Sequence, residues 1–493
     1  MVGNQNRWQE DLFVAGPLSS LIPEDHILKR VGKIIDLSCL RKEVSEVYCE
    51  SNGRPSIDPE SAIRLMLAGF FQGIVHDRKL MREAQVNIAI RWFAGYRLQD
   101  KLPDHSSLTR IRQRWGPDLF KRIFQQTVGQ CIKAGLVSGE TVHIDATLIR
   151  ADVSWESLTD EYARKVIEDN QSEEMETSRT GKPKKRSLTD PDATMTTSCR
   201  QYRMEPCFKQ HTAVDDDYGV ILDVETTTGE ASEGKELLGQ LNRIEEATGN
   251  KVQTVTADAA YAHNENYATL EQHGTEAIIP PQHQPKNPQR IPINRFKYDG
   301  KHQIVRCPVG KILERSCQTD KGWIYRAAVK DCADCPLCKR CVSPTAKSRT
   351  VLICPGYESL LRARRRHRMR DDGFVNAYGR HRWRVEGIYG EAKTQHGLRR
   401  AVRRGLANVS IQVYLTAAVM NLKRLAAFLC LFFIRLEYEK SRRSVLGRIE
   451  LALERILLRW QKNIVVLKMA VWKRYLCHFF NSPSVTHCAI ISP

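Results

Sequence analysis

Apolar positions recur at helical spacing through roughly the first 135 residues. Asp58 followed by Pro59 is an N-cap with proline at N1, and it opens a helix carrying Ile63, Leu65, Met66, Leu67 and Phe70. Asp104 and Ser106 cap another helix, whose exposed side carries Arg110, Arg112 and Arg114 near Trp115. From residue 139 the period becomes alternating. In TVHIDATLIR, Val142, Ile144 and Leu148 point one way while His143, Asp145 and Thr147 point the other, so Asp145 leaves the apolar face of a strand. Residues 152 to 200 lose periodicity; Glu173, Glu174, the run KPKKR at 182 to 186 and many Ser and Thr predict a flexible insertion.

Two more strands follow, FKQHTAV at 208 to 214 and YGVILDVET at 218 to 226, with Asp215, Asp216, Asp217 and Gly219 as turn residues of a hairpin. Residues 232 to 247 form a helix stopped by Gly249. KVQTVTAD is a strand ending at Asp258, a short helix runs from Asn264 to Gly274, and EAIIPP at 276 to 281 is one more buried strand. After a long delay comes YGRHRWRVEGIYGEAKTQHGLRR, residues 378 to 400, in which Val385, Ile388, Tyr389 and Ala392 define the buried face of a helix. Arg382, Glu386 and Lys393 fall within a roughly 40° sector beside that face, one carboxylate between two cations. His396 and Gly397 read as the helix end. An apolar helix, 408 to 434, follows and packs under the sheet. The tail beyond about 436 alternates apolar and basic residues, among them Arg455, Arg459, Trp460, Lys468 and Trp472.

The balance of 76 basic against 57 acidic residues, a formal charge of +19, favours a polyanionic partner, nucleic acid before membrane. The arginines at 110, 112 and 114 can spread across a phosphate backbone as a helix-turn-helix reader does. LRARRRHRMR at 361 to 370, with six arginines and His367, leads directly into the Glu386 helix and reads as a polyphosphate-binding surface. Arg399, Arg400, Arg403 and Arg404 add charge just after it. The N-terminus lacks a basic region followed by an apolar stretch, and the longest apolar run is half the length that spans a bilayer. A cytoplasmic protein with no membrane partner is therefore expected. In a reducing compartment the 15 cysteines are free thiols or metal ligands. Cys332, Cys335, Cys338 and Cys341 in CADCPLCKRC have strict three-residue spacing and point to thiolate coordination, structural zinc first, with iron-sulfur spacing as the alternative and Cys307 or Cys317 as helpers.

Three strands, helix, strand, helix, strand and a late helix is the order of a ribonuclease H-like α/β core, where the ends of the first and fourth strands meet beside the last helix. The expected organisation is a helical DNA-binding domain over 1–135, a catalytic core over 136–281 and 374–430, a cysteine-rich basic insertion over 282–373, and a basic amphipathic tail over 431–493.

These residues resemble the DDE transposases of bacterial insertion sequences. The family's motif around its glutamate, Y-x2-R-x3-E-x6-K, is met by Arg382, Glu386 and Lys393; Tyr378 lies one position early and Gly379 takes its place. Asp145 in HIDAT is similar to the first aspartate, and Asp258 in DAAY, with Tyr261, is similar to the second. LPDHSSLTRIRQRW at 102 to 115 looks like the group's N-terminal domain, and one branch carries a cysteine-rich insertion. The resemblance spans roughly residues 10 to 430. It implies Asp145, Asp258 and Glu386 as catalytic ligands of two magnesium or manganese ions. It also implies DNA contacts from Tyr261, Arg382, Lys393, Arg399 and Arg400, recognition of terminal inverted repeats and target DNA, and a homodimer or higher multimer that joins two element ends.

The chemistry is consistent with this. Hard divalent ions take oxygen ligands, so the carboxylates suit them and the thiols do not. Carboxylates gathered without cations would raise one another's pKa. Arg382 and Lys393 would hold phosphates beside the site, as fork and point charge. Asp152 and Asp215 are substitutes should the strand register shift, and Asp223 is a further candidate; turn and edge roles explain Asp215 and Asp223. Two other readings stand beside the transposase: a ribonuclease H-like nuclease that cuts without joining, and a non-catalytic, zinc-stabilised DNA-binding protein. Glycoside hydrolysis by paired carboxylates is disfavoured by the basic surface.

Overall fold

The computed structural model describes residues 16–48, 56–153, 158–160, 185–196, 204–282, 290–369 and 372–442. Its N-terminal part is helical: α1 (Ile27–Gly32), α2 (Leu40–Ser45), α3 (Pro59–Phe71), α4 (Asp77–Val86), α5 (Ile88–Phe93) and α6 (His105–Lys133). Both expected caps form. Asp58 accepts from the Ser61 amide at 3.1 Å and Asp104 from the Ser106 amide at 2.8 Å. α3 is apolar nearly all round and is the centre of this cluster, with Ala62, Ile63, Leu65, Met66 and Leu67 buried. Gly116 and Pro117 kink α6.

One expected DNA contact is overturned here. Arg112 is 3% exposed and both its terminal nitrogens donate to Asp77 of α4, which also pairs with Arg403 at 2.7 Å. Burial, then the neighbouring Arg403, pushes the Arg112 guanidinium down to about 10. It ties α6 to α4 and is closed to a phosphate. Arg110 and Arg114 are exposed, Arg114 lying over the Tyr48 ring at 4.7 Å.

The main sheet is built on β1 (Thr141–Arg150). β5 (Glu205–Asp215) pairs antiparallel with one edge of β1 and continues through a hairpin into β6 (Ile221–Thr228). On the other edge, β7 (Thr254–Ala257) pairs parallel with β1, and β8 (Glu276–Ile278) parallel with β7. The order β6, β5, β1, β7, β8, with the last two parallel to β1, is that of a ribonuclease H-like sheet. Helix α7 (Leu237–Thr248) precedes β7, and α8 (Asn264–His273) follows it; Gly249 and Gly274 end them at φ 69° and 75°. Residues 152 to 200 are not all loop. β2 (Leu158–Asp160), β3 (Lys185–Ser187) and β4 (Thr194–Thr196) pair in series onto β5, so Lys185 and Arg186 of the basic run lie in a strand. Glu173, Glu174 and residues 182–184 lie outside the described residues.

The long segment before the last helices has its own antiparallel sheet: β9 (Lys297–Asp299), β10 (Ile304–Arg306), β11 (Ile312–Thr319), β12 (Gly322–Ala327) and β13 (Thr350–Ile353). The cysteine run sits between β12 and β13 on α9 (Val329–Ala333) and α10 (Cys338–Cys341). In α11 (Tyr357–Met369), Arg362 pairs with Glu271 and Arg366 with Glu276, so part of the expected phosphate surface is already neutralised. α12 (Asp372–Gln395) buries Val385, Ile388, Tyr389 and Ala392, the four positions expected from periodicity, and packs on β1, β7 and β8.

α13 (Leu406–Arg442) is long and apolar enough over Leu406–Phe432 to cross a membrane by length and composition. Its residues Val409 to Ala426 are nevertheless mostly buried in protein, and Asn421 exchanges two hydrogen bonds with the backbone of Ile221 in β6. Residues 1–426 form one compact unit, so the helical, sheet and cysteine-rich parts pack together. A second unit begins at Ala427, and the tail residues 443–493 lie outside the described residues.

Candidate active site

The parallel pairing of β1 with β7 ends at Ile144 and Ala257. The next residues on the two strands are Asp145 and Asp258, which therefore stand side by side where β7 stops. Asp258 then turns the chain, its Oδ1 accepting from the Ala260 amide at 2.8 Å. Beside them opens a cleft of about 850 Å³, lined among others by Asp145, Thr147, Lys209, Glu233, Asp258, Lys393 and Arg399.

Helix α12 closes over this place through named bonds. The Tyr389 hydroxyl donates to the Asp145 carbonyl at 2.6 Å, and Lys393 Nζ donates to Thr147 Oγ1 at 2.6 Å. A buried relay fixes the preceding turns: His381 Nδ1 to Thr256 Oγ1 at 2.9 Å, Thr256 Oγ1 to His143 Nδ1 at 2.6 Å, and His143 Nε2 to Asp216 at 2.9 Å. His143 and Thr256 lie two residues before the aspartates, so the relay sets the register of helix against strands. Glu386 is one turn before Tyr389. Its side chain is 66% exposed and pairs with Arg382 at 2.8 Å. The expected carboxylate between two cations is thus half right, because Lys393 has turned to Thr147 and the cleft.

Burial pushes the Asp145 carboxyl up to about 7, and the nearby Asp258, Glu233 and Glu386 push the same way against the Ala146 amide. Burial likewise raises Asp258, with Glu233 adding to it and Lys209 opposing. A buried pair of hard oxygen donors short of positive charge is the donor set a divalent cation relieves. Among the described residues no three His, Cys, Asp or Glu side chains are already grouped as a metal cage. Burial and Arg399 lower the Lys393 ammonium.

Of the expected DNA-contacting residues, Lys393 and Arg399 line the cleft, Arg382 holds Glu386, and Arg400 pairs with Asp152 at 3.0 Å. Tyr261 does not reach the surface. It is fully buried, with its hydroxyl inside the protein, so it packs the turn after Asp258 rather than meeting DNA. Asp215 and Asp223 are structural: Asp215 accepts from the amides of Gly139 and Asp217, and Asp223 binds Gln240 and Arg243. Sequence reasoning missed Glu233 and Lys209. The one available signal was a lysine set among buried positions of FKQHTAV.

The cysteines gather around a cavity of about 20 Å³, the volume of one water or ion, lined by Cys307, Cys332, Cys335, Cys338 and Cys341. Cys307 occupies a tight turn in which the Lys311 amide points at its Sγ at 3.3 Å. Burial raises the Cys341 thiol, Arg349 opposes the rise, and Cys332, Cys335 and Cys307 add to it. Cys317 is exposed on β11, away from that cavity.

Two family models match the chain: a transposase domain of the DUF772 family over residues 17–114 and a transposase DDE domain over residues 306–426. No curated protein matches it. Among solved structures, the chain is similar to a piggyBac transposase synaptic complex with hairpin DNA at 11% identity and a TM-score of 0.29, over 87% of this chain and 82% of that one. It is similar to a Mos1 transposase paired-end complex with the left transposon end at 12% identity and a TM-score of 0.16, over 48% of this chain and 64% of that one.

Proposed function

We propose that this chain, a DDE transposase by the two domains it matches, hydrolyses DNA at the ends of a mobile element and transfers the freed 3′ hydroxyls into target DNA. The observation that carries the reading is the placement of Asp145 and Asp258 side by side at the ends of adjacent parallel strands, under the helix that bears Glu386. Asp145, Asp258 and Glu386 would hold magnesium or manganese, Glu386 by exchanging Arg382 for the metal. Bound there, two such ions supply activation of the attacking oxygen and neutralisation of the departing one. The chain's own part is to orient and shield. Tyr389 and the buried histidine relay fix the helix on the strands, while Lys393 and Arg399 meet phosphates at the cleft wall. Arg110, Arg114 and Arg400 would extend the DNA track. Work on two ends calls for a homodimer or larger assembly, acting in the cytoplasm.

The cavity lined by Cys307, Cys332, Cys335, Cys338 and Cys341 supports a structural zinc whose four ligands are drawn from these thiols as they close on the ion. The test of the main reading is a plasmid carrying the DNA that flanks this chain's own gene, incubated with magnesium and a target plasmid. Wild-type protein should cut at the ends and yield joined product; Asp258→Asn should bind the DNA and do neither. Cuts without joined product would favour a simple nuclease, and equal cleavage by Asp258→Asn would remove Asp258 from the chemistry.

A further inference from the structure

The catalytic cleft contains a cation that none of the sequence motifs supplies. Lys209 stands on β5 opposite Leu148 of β1 and is 9% exposed. Its ammonium donates to the Ala231 carbonyl at 2.8 Å and pairs with Glu233 Oε1 at 3.0 Å. An ammonium has three N–H donors. Those two acceptors leave one donor, and Lys209 lines the cleft together with Asp145 and Asp258. Its charge is close enough to Asp258 to oppose the rise in that carboxyl.

Glu233 is not a casual partner. It opens the turn Glu233–Lys235, which is docked on the turn after Asp258. Asn266 Nδ2 joins the two, donating to the Gly234 carbonyl at 2.8 Å and the Tyr261 carbonyl at 3.0 Å. The approach is so close that a Cβ at Gly234 would sit 2.0 Å from the His263 ring. The carboxylate that holds Lys209 is thereby fixed to the segment carrying a catalytic aspartate.

We propose that Lys209 is the cation that binds the scissile DNA phosphate in this cleft, and that Glu233 is the positioning residue that holds it there. The proposal rests on the DNA-cleaving reading above. A buried ammonium already held by two acceptors loses little freedom when the phosphate arrives, so it favours the reacting geometry over loose binding. Glu233 keeps that cation in place without being a ligand of the divalent ions.

The experiment compares Lys209→Met, Lys209→Arg, Glu233→Gln and the Lys209→Met/Glu233→Gln double variant on the flanking-DNA substrate, with Mn²⁺ binding to DNA-free protein followed by electron paramagnetic resonance. Lys209→Met should lower kcat at least about 100-fold with KM within about 3-fold, and Lys209→Arg should recover part of the loss. Glu233→Gln should lower kcat about 10-fold, and the double variant should be no slower than Lys209→Met alone, because both changes disable one unit. Mn²⁺ affinity should be unchanged or tighter in the two single Lys209 variants and should fall by less than about threefold in Glu233→Gln, which removes a nearby negative charge. Cleavage by Lys209→Met at the wild-type rate overturns the proposal, as does a tenfold loss of Mn²⁺ affinity in Glu233→Gln, which would make Glu233 a metal ligand. Asp258→Asn is run alongside. If it too cleaves normally, the reading of the site has failed and not only the role of Lys209.

Discussion

Asp145 and Arg112 show how differently two charged residues can be read from a chain. Asp145 was legible because it stands on the odd face of an alternating strand, and because Asp258 ends a second strand; both patterns are local. Arg112 was not, because its partner Asp77 is a helix away and nothing in the spacing of Arg110, Arg112 and Arg114 says which of them turns inward. The same holds for the cysteines. A run at three-residue spacing drew attention to itself, yet Cys307, brought in by a separate strand-and-turn, lies on the same cavity as the run. Metal content should follow that geometry: protein purified under reducing conditions should carry about one zinc per chain. Cys307→Ser should lose it, while Cys317→Ser, at an exposed thiol outside the cavity, should keep it. Zinc analysis by mass spectrometry checks both.

At the scale of elements, strong periodicity was the reliable guide. The buried face of α12 was readable in full from Val385, Ile388, Tyr389 and Ala392, whereas the three-residue strands β2, β3 and β4 are too short to alternate and form only because β5 offers them an edge. α12 is anchored to α13 through Glu391, which contacts Lys423 at 2.5 Å, Arg424 at 3.4 Å and His396 at 3.5 Å. Burial alone would raise this carboxyl, but the bonds from His396 and Lys423 and the charge of Arg424 outweigh it and hold it at about 2. Because the folded value lies below the ordinary 4.5, the stabilisation is complete above about pH 4.5 and fades as pH falls toward 2. Glu391→Gln leaves two cations facing a neutral amide and should cost about 3 kcal/mol near neutrality. In urea unfolding the gap between wild type and variant should be constant from pH 8 to about 5.5 and shrink steadily below about 4.5.

For the whole molecule, strand order and net charge were both legible in advance, and the helical, sheet and cysteine-rich regions pack into one unit. That packing depends on contacts between distant residues, such as Arg403 on Asp77, which no window of sequence reveals. The charge of +19 makes DNA affinity a function of salt. Replacing exposed Arg110 or Arg114 by alanine should weaken binding to any duplex and reduce the slope of log K against log salt by about 1 each if each meets one phosphate. Filter-binding titrations over a range of sodium chloride measure it.

The level pairing of β1 with β7 also decides where this chain can grow. Adding one residue between Thr254 and Ala257 would carry Asp258 past its neighbour and swing its oxygens to the opposite side of the sheet, so the enzyme should fold yet leave plasmids intact. The connection from β8 to α12 leaves from the outermost strand and already accommodates five strands without disturbing that match. A fusion partner grafted into the exposed turn at Asp320 and Lys321 should therefore leave cutting undiminished in the same plasmid assay.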